Sequence, residues 1–210
     1  MHLCAGCKAK AQGIEPPFCR RCSQPFYGAI QGEFTCSNCA GRRLDFDSAV
    51  ARYRATTVVR ELIHRFKYDR HFYLRHPLAE WLAEALEDPR IRARRFAYLV
   101  PVPLHPARQR EREFNQAEVL AELVAPRAGT RVLRCLRRIR YTRTQTCLDR
   151  DERMENLRNA FRVRHTSAVS GSHLVLVDDV FTTGSTVEEC ARVLLEAGAA
   201  SVRVITVARG

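Results

Sequence analysis

The apolar positions change period along the chain, and each change marks an element. Val58, Val59, Leu62, Ile63 and Phe66 recur every three or four residues and predict a helix. Leu78, Trp81, Leu82, Ala85 and Leu86 predict a second, which Pro89 ends. Between them, Phe66-Lys67-Tyr68-Asp69-Arg70 reads as a charged loop. Weak alternation from Asp47 to Tyr53 suits a strand entering the main domain. Ala97 to Leu104 reads as the first core strand of a sheet. Gln116 to Val124, with Ala117, Leu120, Ala121 and Val124 on one face, reads as a helix covering that sheet. Later, Leu174-Val175-Leu176-Val177 forms a short buried strand. Val187, Cys190, Ala191, Leu194 and Leu195 then give one face of a helix that stops at Gly198, a residue suited to a helix end. Ser201 to Ala208 is a further strand. Strand, loop, helix and strand in this order make a unit of a parallel α/β sheet.

Chemistry concentrates where the strand at 174–177 meets the next helix. Asp178 and Asp179 follow at its carboxyl end, then Thr182, Thr183, Gly184, Ser185 and Thr186. Unpaired N–H groups at a helix start favour an anion. Gly184 lets the anion approach the backbone, and the hydroxyls add donors. The two carboxylates would repel a phosphate, so they suit ribose hydroxyls or Mg²⁺, a hard cation with oxygen ligands. Ser185-x-x-Glu188 and Thr186-x-x-Glu189 also fit capping boxes. Capping accounts for a hydroxyl or two. It does not account for two crowded carboxylates.

Length and charge narrow the class. The chain has 210 residues, a 46% hydrophobic content and a net charge of +12. One main domain at 46–210 with a small appendage at 1–45 is expected. No apolar run reaches the ~18 residues of a membrane span, and the start shows no signal-peptide pattern, so a cytoplasmic location is expected. Arginine clusters at Arg90–Arg95, Arg108–Arg112, Arg131–Arg143 and Arg150–Arg164 favour a polyanionic partner, nucleic acid or pyrophosphate. For single-stranded DNA the expected surfaces are Arg131–Arg143 and the cysteine module with Arg20, Arg21, Arg42 and Arg43. Aromatics, at 8%, are too scattered to argue for strong base stacking.

Six of the nine cysteines form C-x-x-C pairs: Cys4/Cys7, Cys19/Cys22 and Cys36/Cys39. Thiols stay reduced in a cytosolic protein, so the pairs point to metal. Two such pairs close a tetrahedral Zn²⁺ site. Spacing alone leaves two choices open: Cys19/Cys22 with Cys36/Cys39, or Cys4/Cys7 with Cys19/Cys22. A module of this size buries little, so zinc would supply much of its stability.

Residues 174–186 resemble the thirteen-residue signature for phosphoribosyl pyrophosphate (PRPP) in type I phosphoribosyltransferases. Three further segments carry a likeness to the ComF family of competence-associated proteins. They are the cysteine pairs, Val100-Pro101-Val102-Pro103-Leu104 with Arg108…Arg112-Glu113-Phe114-Asn115-Gln116, and Gln145…Arg153…Asn156…Phe161. The resemblance implies a type I phosphoribosyltransferase-like parallel sheet with a small N-terminal zinc ribbon. It implies Cys19, Cys22, Cys36 and Cys39 as structural Zn²⁺ ligands, with Cys4/Cys7 the remnant of the first of two ribbons. It implies Mg²⁺-bound PRPP held by Asp178, Asp179 and the Thr182–Thr186 loop. Arg108, Arg110 and Arg112 would contact pyrophosphate, Lys67, at a position where family members carry lysine, would join the PRPP-binding residues, and 137–158 would be a hood over the site. Where the family reads Arg-Gly-Phe-Asn-Gln, this chain has Glu113. If that glycine serves a left-handed backbone, Glu113 is strained. Enzymes for 6-oxopurines carry Asp where this chain has Thr182, so the acceptor is not legible. Two functions follow: a phosphoribosyltransferase linked to DNA uptake, or a non-catalytic handler of single-stranded DNA whose PRPP site is a sensor or relic. A protein partner in the competence machinery is a further implication.

Overall fold

The computed structural model describes residues 3–28, 30, 32–69, 71–141, 156–164 and 166–210. Its centre is a five-stranded sheet in the order β1-β7-β6-β2-β3, every pairing parallel. The strands are β1 (Ala49–Arg54), β2 (Tyr98–Pro101), β3 (Arg131–Val132), β6 (His173–Phe181) and β7 (Ser201–Arg209). A two-stranded antiparallel ribbon, β4 (Leu136–Arg138) with β5 (Phe161–Val163), lies apart. The helices are α1 (Ala5–Lys10), α2 (Thr57–Tyr68), α3 (Arg75–Leu86), α4 (Pro89–Arg92), α5 (Pro106–Arg112), α6 (Gln116–Val124), α7 (Thr166–Val169) and α8 (Ser185–Glu196).

Strand side chains alternate between faces, and both faces are covered. Leu99, Val175, Val177, Ile205 and Val207 pack under α2, α3 and α6, against Phe66, Leu78, Leu82 and Leu120. Val100, Leu174, Leu176, Val202 and Val204 face the other way, into a core with Cys190 and Leu194 of α8, Phe161 of β5 and the four cysteines at 19, 22, 36 and 39. Two-sided burial explains why the run at 174–177 reads as continuously apolar. Each large side chain so buried contributes about 1.5–3 kcal/mol.

The N-terminal segment lies along the outer edge of β1. Ile14 N–H donates to the Arg52 carbonyl at 2.8 Å, and Arg54 N–H to the Gln12 carbonyl at 2.9 Å. This pairing covers an edge that would otherwise be open. Ser23 Oγ donates to the Ala49 carbonyl at 2.9 Å, which joins the cysteine module to the same strand.

Several expectations need correction. Lys67 lies in the last turn of α2, not in a loop, because the apolar face runs on through Phe66. The segment 105–112 is helix α5, capped by His105 Nδ1, which accepts from Ala107 N–H at 3.2 Å. Pro89 starts α4 behind an Asp88 cap as well as following α3. β6 does not stop before the carboxylates, because Asp178, Val180 and Phe181 pair with Thr206, Ala208 and Arg209 of the long β7. The Ser185 and Thr186 capping boxes do not form: Gly184 occupies the cap position, and the Ser185 N–H donates instead to Thr183 Oγ1 at 3.5 Å. Of the expected hood, 142–155 lies outside the described residues, with Gln145 and Arg153 in it.

Candidate functional site at the carboxyl edge of the sheet

β6 delivers Asp178 and Asp179 to the carboxyl edge, where ligands bind in sheets of this kind. Adjacent residues on a strand point to opposite faces, and this divides their environments. Asp179 is 4% exposed. Its Oδ1 accepts from Gln116 Nε2 at 3.1 Å, and its Oδ2 forms an ion pair with Lys67 Nζ. Asp178 Oδ1 accepts the Asp179 N–H at 2.9 Å. Burial, and then the Asp179 charge, hold Asp178 well above the usual carboxylate range. Burial acts in the same direction on Asp179, but Lys67 outweighs it and leaves Asp179 below that range.

The network continues outward. Gln116 Oε1 accepts from Arg112 Nη1 at 3.1 Å, and Arg112 Nη2 donates to the Tyr68 hydroxyl. The Arg112 guanidinium also lies 4.6 Å from the centre of the Tyr68 ring. Asn115 fixes this corner. Its Oδ1 caps α6 by accepting Ala117 N–H, and its Nδ2 donates to the Val102 carbonyl, both at 3.1 Å. Five side chains from α2, the α5–α6 corner and β6 are thus joined: Tyr68, Arg112, Gln116, Asp179 and Lys67. Sequence reasoning missed Tyr68. Gln116 was quoted in a motif without a role, although its place next to a helix-capping Asn was a usable signal.

Glu113 is left-handed, with φ 68° and ψ −16°, where it ends α5. A residue with a Cβ is disfavoured there. Arg108 is half-buried on α5, and Arg110 is exposed. Burial, then the Arg108 charge, push Arg138 of β4 below the usual arginine range, and Asp178 pulls it back up. Arg108, Arg138 and Asp178 therefore form one charged neighbourhood.

Beyond β6 the hydroxyl loop turns into α8. Thr182 is exposed, Thr183 and Thr186 are half-buried, and Ser185 is buried. Thr183 Oγ1 and Ser185 Oγ are 2.9 Å apart. Gly184 has φ 84°, and a Cβ there would lie 2.5 Å from the Phe181 ring. The ring fills the place a side chain would take, so Gly184 is required by the turn and by packing.

The cysteine module stands behind this loop. The ligand atoms of Cys19, Cys22, Cys36 and Cys39 lie within 4.8 Å of one another, and all four residues are buried. Cys22 and Cys36 Sγ are 3.5 Å apart. Tetrahedral Zn²⁺ with bonds of about 2.3 Å needs sulfurs roughly 3.8 Å apart, so the cluster fits a metal such as zinc. Hydrogen bonds from the Cys22 and Cys39 thiols hold Cys19 well below the usual thiol range. Cys4 is exposed, Cys7 is outside the cluster, and Cys4 Sγ caps α1. Phe46 meets the Phe181 ring edge-on at 5.9 Å, and Glu188 of α8 accepts Asp45 N–H at 3.1 Å. A crevice between module and loop is lined by Asn38, Cys39, Arg42, Thr183 and Ser185.

The phosphoribosyl transferase domain family matches residues 92–210. Competence protein F of Haemophilus influenzae is 31% identical, over 99% of this chain and 90% of its own length. The DNA utilization protein YhgH of Salmonella typhimurium is 35% identical over 96% of this chain and 88% of its own. Competence protein ComFC of Bacillus subtilis is 28% identical over 99% and 84%. Among solved structures, the glutamine PRPP amidotransferase from B. subtilis, complexed with ADP and GMP, is 25% identical over 62% of this chain with a TM-score of 0.41. The matched part spans 25% of that enzyme. Among the described residues, no helix is long and apolar enough to cross a membrane.

Proposed function

We propose a function from one premise: the chain belongs to the phosphoribosyl transferase domain family and is a homologue of the competence F and ComFC proteins. Its carboxyl-edge site binds Mg²⁺-bound PRPP or a related phosphoribosyl ligand, in a cytoplasmic role linked to DNA uptake. One observation carries this reading. A buried acid pair, held by Lys67 and Gln116, stands directly before a 12-residue helix with glycine at its cap, whose loop presents Thr183 and Ser185 hydroxyls.

In this reading Asp178 and Asp179 grip the ribose hydroxyls and the Mg²⁺ that neutralises pyrophosphate. Thr182, Thr183, Gly184, Ser185 and Thr186 hold the 5′-phosphate at the start of α8. Arg108 and Arg112 stabilise charge on the pyrophosphate side. In the catalytic form of the reading, an acceptor nucleophile bonds to the anomeric carbon. The carbon–oxygen bond to pyrophosphate breaks, and the bonding pair leaves with pyrophosphate. Cys19, Cys22, Cys36 and Cys39 hold a structural Zn²⁺ in the 1–45 module, beside the 46–210 domain.

The test is calorimetric titration with Mg²⁺–PRPP. Wild type should bind saturably, and Asp178→Asn/Asp179→Asn should weaken binding at least 100-fold while the fold survives. Absence of saturable binding at millimolar PRPP overturns the reading.

Glu113 favours a second reading, in which the chain handles single-stranded DNA and the pocket senses PRPP without turning it over. It sets a carboxylate at the end of α5, on the pyrophosphate side. Release of pyrophosphate from bound PRPP by any acceptor excludes this version. Anisotropy titration with single-stranded DNA, steeply weakened by salt, supports it.

A further inference from the structure

Five arginines line a cleft of about 450 Å³ at the amino edge of the sheet, opposite Asp178 and Asp179: Arg20, Arg21, Arg90, Arg94 and Arg203. Ligand pockets run to roughly 300–1,000 Å³, so it is large enough for a nucleotide. Glu33 and Asp47 also line it, which leaves an excess of positive charge. Two arginines are already engaged. Arg20 pairs with Glu33, and Arg90 pairs with Asp88 at 2.8 Å while donating to the Arg20 carbonyl at 3.1 Å. Arg21 and Arg94 have no ion pair among the described residues.

Arg203 is the unusual member. It lies on β7, every residue of which is buried, and is itself 3% exposed. Its Nη1 donates to the Ile91 carbonyl, and its guanidinium carbon lies 5.8 Å from the Phe96 ring centre. Among the described residues, its Nε and Nη2 have no hydrogen-bond partner. Asp47 acts on it through space, but no carboxylate is within ion-pair distance among the described residues. A buried guanidinium with two donors unmet is costly in isolation. An anion in the cleft would offset that cost, and arginine forks match phosphate oxygens.

We propose that this cleft is a second ligand site that takes a phosphate group, free or within a nucleotide, with Arg21 and Arg94 at its mouth and Arg203 at its floor. The site is independent of the carboxyl edge and of any activity there. The test is calorimetry on the full chain, with inorganic phosphate and with 5′-phosphorylated thymidine dinucleotide as probes. Arg21→Glu/Arg94→Glu should weaken binding at least tenfold, whereas Asp178→Asn/Asp179→Asn and a control reversal, Arg60→Glu/Arg127→Glu, should leave it within twofold. Tighter binding of the dinucleotide identifies a strand phosphate as the ligand; equal binding identifies free phosphate. Equal losses in the control and in Arg21→Glu/Arg94→Glu, or no saturable binding by wild type at millimolar probe, overturn the proposal.

Discussion

At the carboxyl edge of the sheet Asp179 is buried beside a lysine and a glutamine; at the amino edge Arg203 is buried beside a carbonyl and an aromatic ring. The first charge is compensated within the chain. Its partners belong to a network anchored on three elements, so the acid pair is held in place before any ligand arrives. The second retains two donors with no acceptor among the described residues. The difference separates a pre-organised site from one whose buried charge the chain leaves partly unmet among the described residues. The cysteine module touches both edges, with Arg20 and Arg21 lining one cleft and Asn38 and Arg42 the other.

Removing the metal is therefore the strongest way to break the distinction. Structural zinc contributes on the order of 10 kcal/mol to small folded modules. Cys36→Ser/Cys39→Ser should abolish zinc in elemental analysis and weaken binding at both edges together. At the carboxyl edge the loss would pass through the Phe46–Phe181 contact and the Asp45–Glu188 hydrogen bond. Full zinc retention by the variant would sink the ligand assignment. Zinc loss with both affinities intact would show that the module supports neither edge.

Lys67→Ala tests compensation at the carboxyl edge alone. It leaves Asp179 buried without its counter-charge, a change that costs about 3–5 kcal/mol. The pH dependence gives the sign. Asp179 titrates below its ordinary value because of Lys67. Its contribution is thus present above the unfolded value near ~3.9 and is lost as pH falls through the folded one. Denaturant midpoints of wild type and Lys67→Ala should differ most near neutral pH and converge under acid. A gap that does not shrink with acid would mean that Lys67 stabilises by packing rather than by charge.

The two edges also differed in how far the sequence disclosed them. The acid pair, the hydroxyl loop and the cysteine pairs are close in sequence, so composition and spacing exposed them. The parallel sheet followed from period changes at 174–177 and 187–195. Contacts that span the chain stayed hidden: Tyr68 to Arg112, Lys67 to Asp179 and Phe46 to Phe181 are set by tertiary packing. Strand ends moved for the same reason, since β6 runs on only because β7 is long enough to pair with it. The amino-edge cleft was least legible, because its arginines come from the cysteine module, the α4 region and β7. Arg203 is a single charge inside the mostly apolar run from Ser201 to Ala208, and the reading of that strand gave it no role.

The smallest effect separates strain from charge at Glu113. A non-glycine residue in the left-handed region costs roughly 1–2 kcal/mol. Glycine relieves that cost but adds freedom to the unfolded chain, worth about 0.4–1 kcal/mol. The net gain for Glu113→Gly is then about 0.5–1 kcal/mol, a rise of roughly 1–4 °C in Tm for a chain of this size. Glu113→Ala removes the carboxylate but keeps the Cβ, so it should show no comparable rise. Both variants remove negative charge next to Arg112, and both should bind Mg²⁺–PRPP a few-fold more tightly. A gain in affinity for Glu113→Gly alone would assign the effect to backbone relaxation at the end of α5. Equal stability of the two variants would mean that the backbone carries no strain at this position, and that the carboxylate sets the balance.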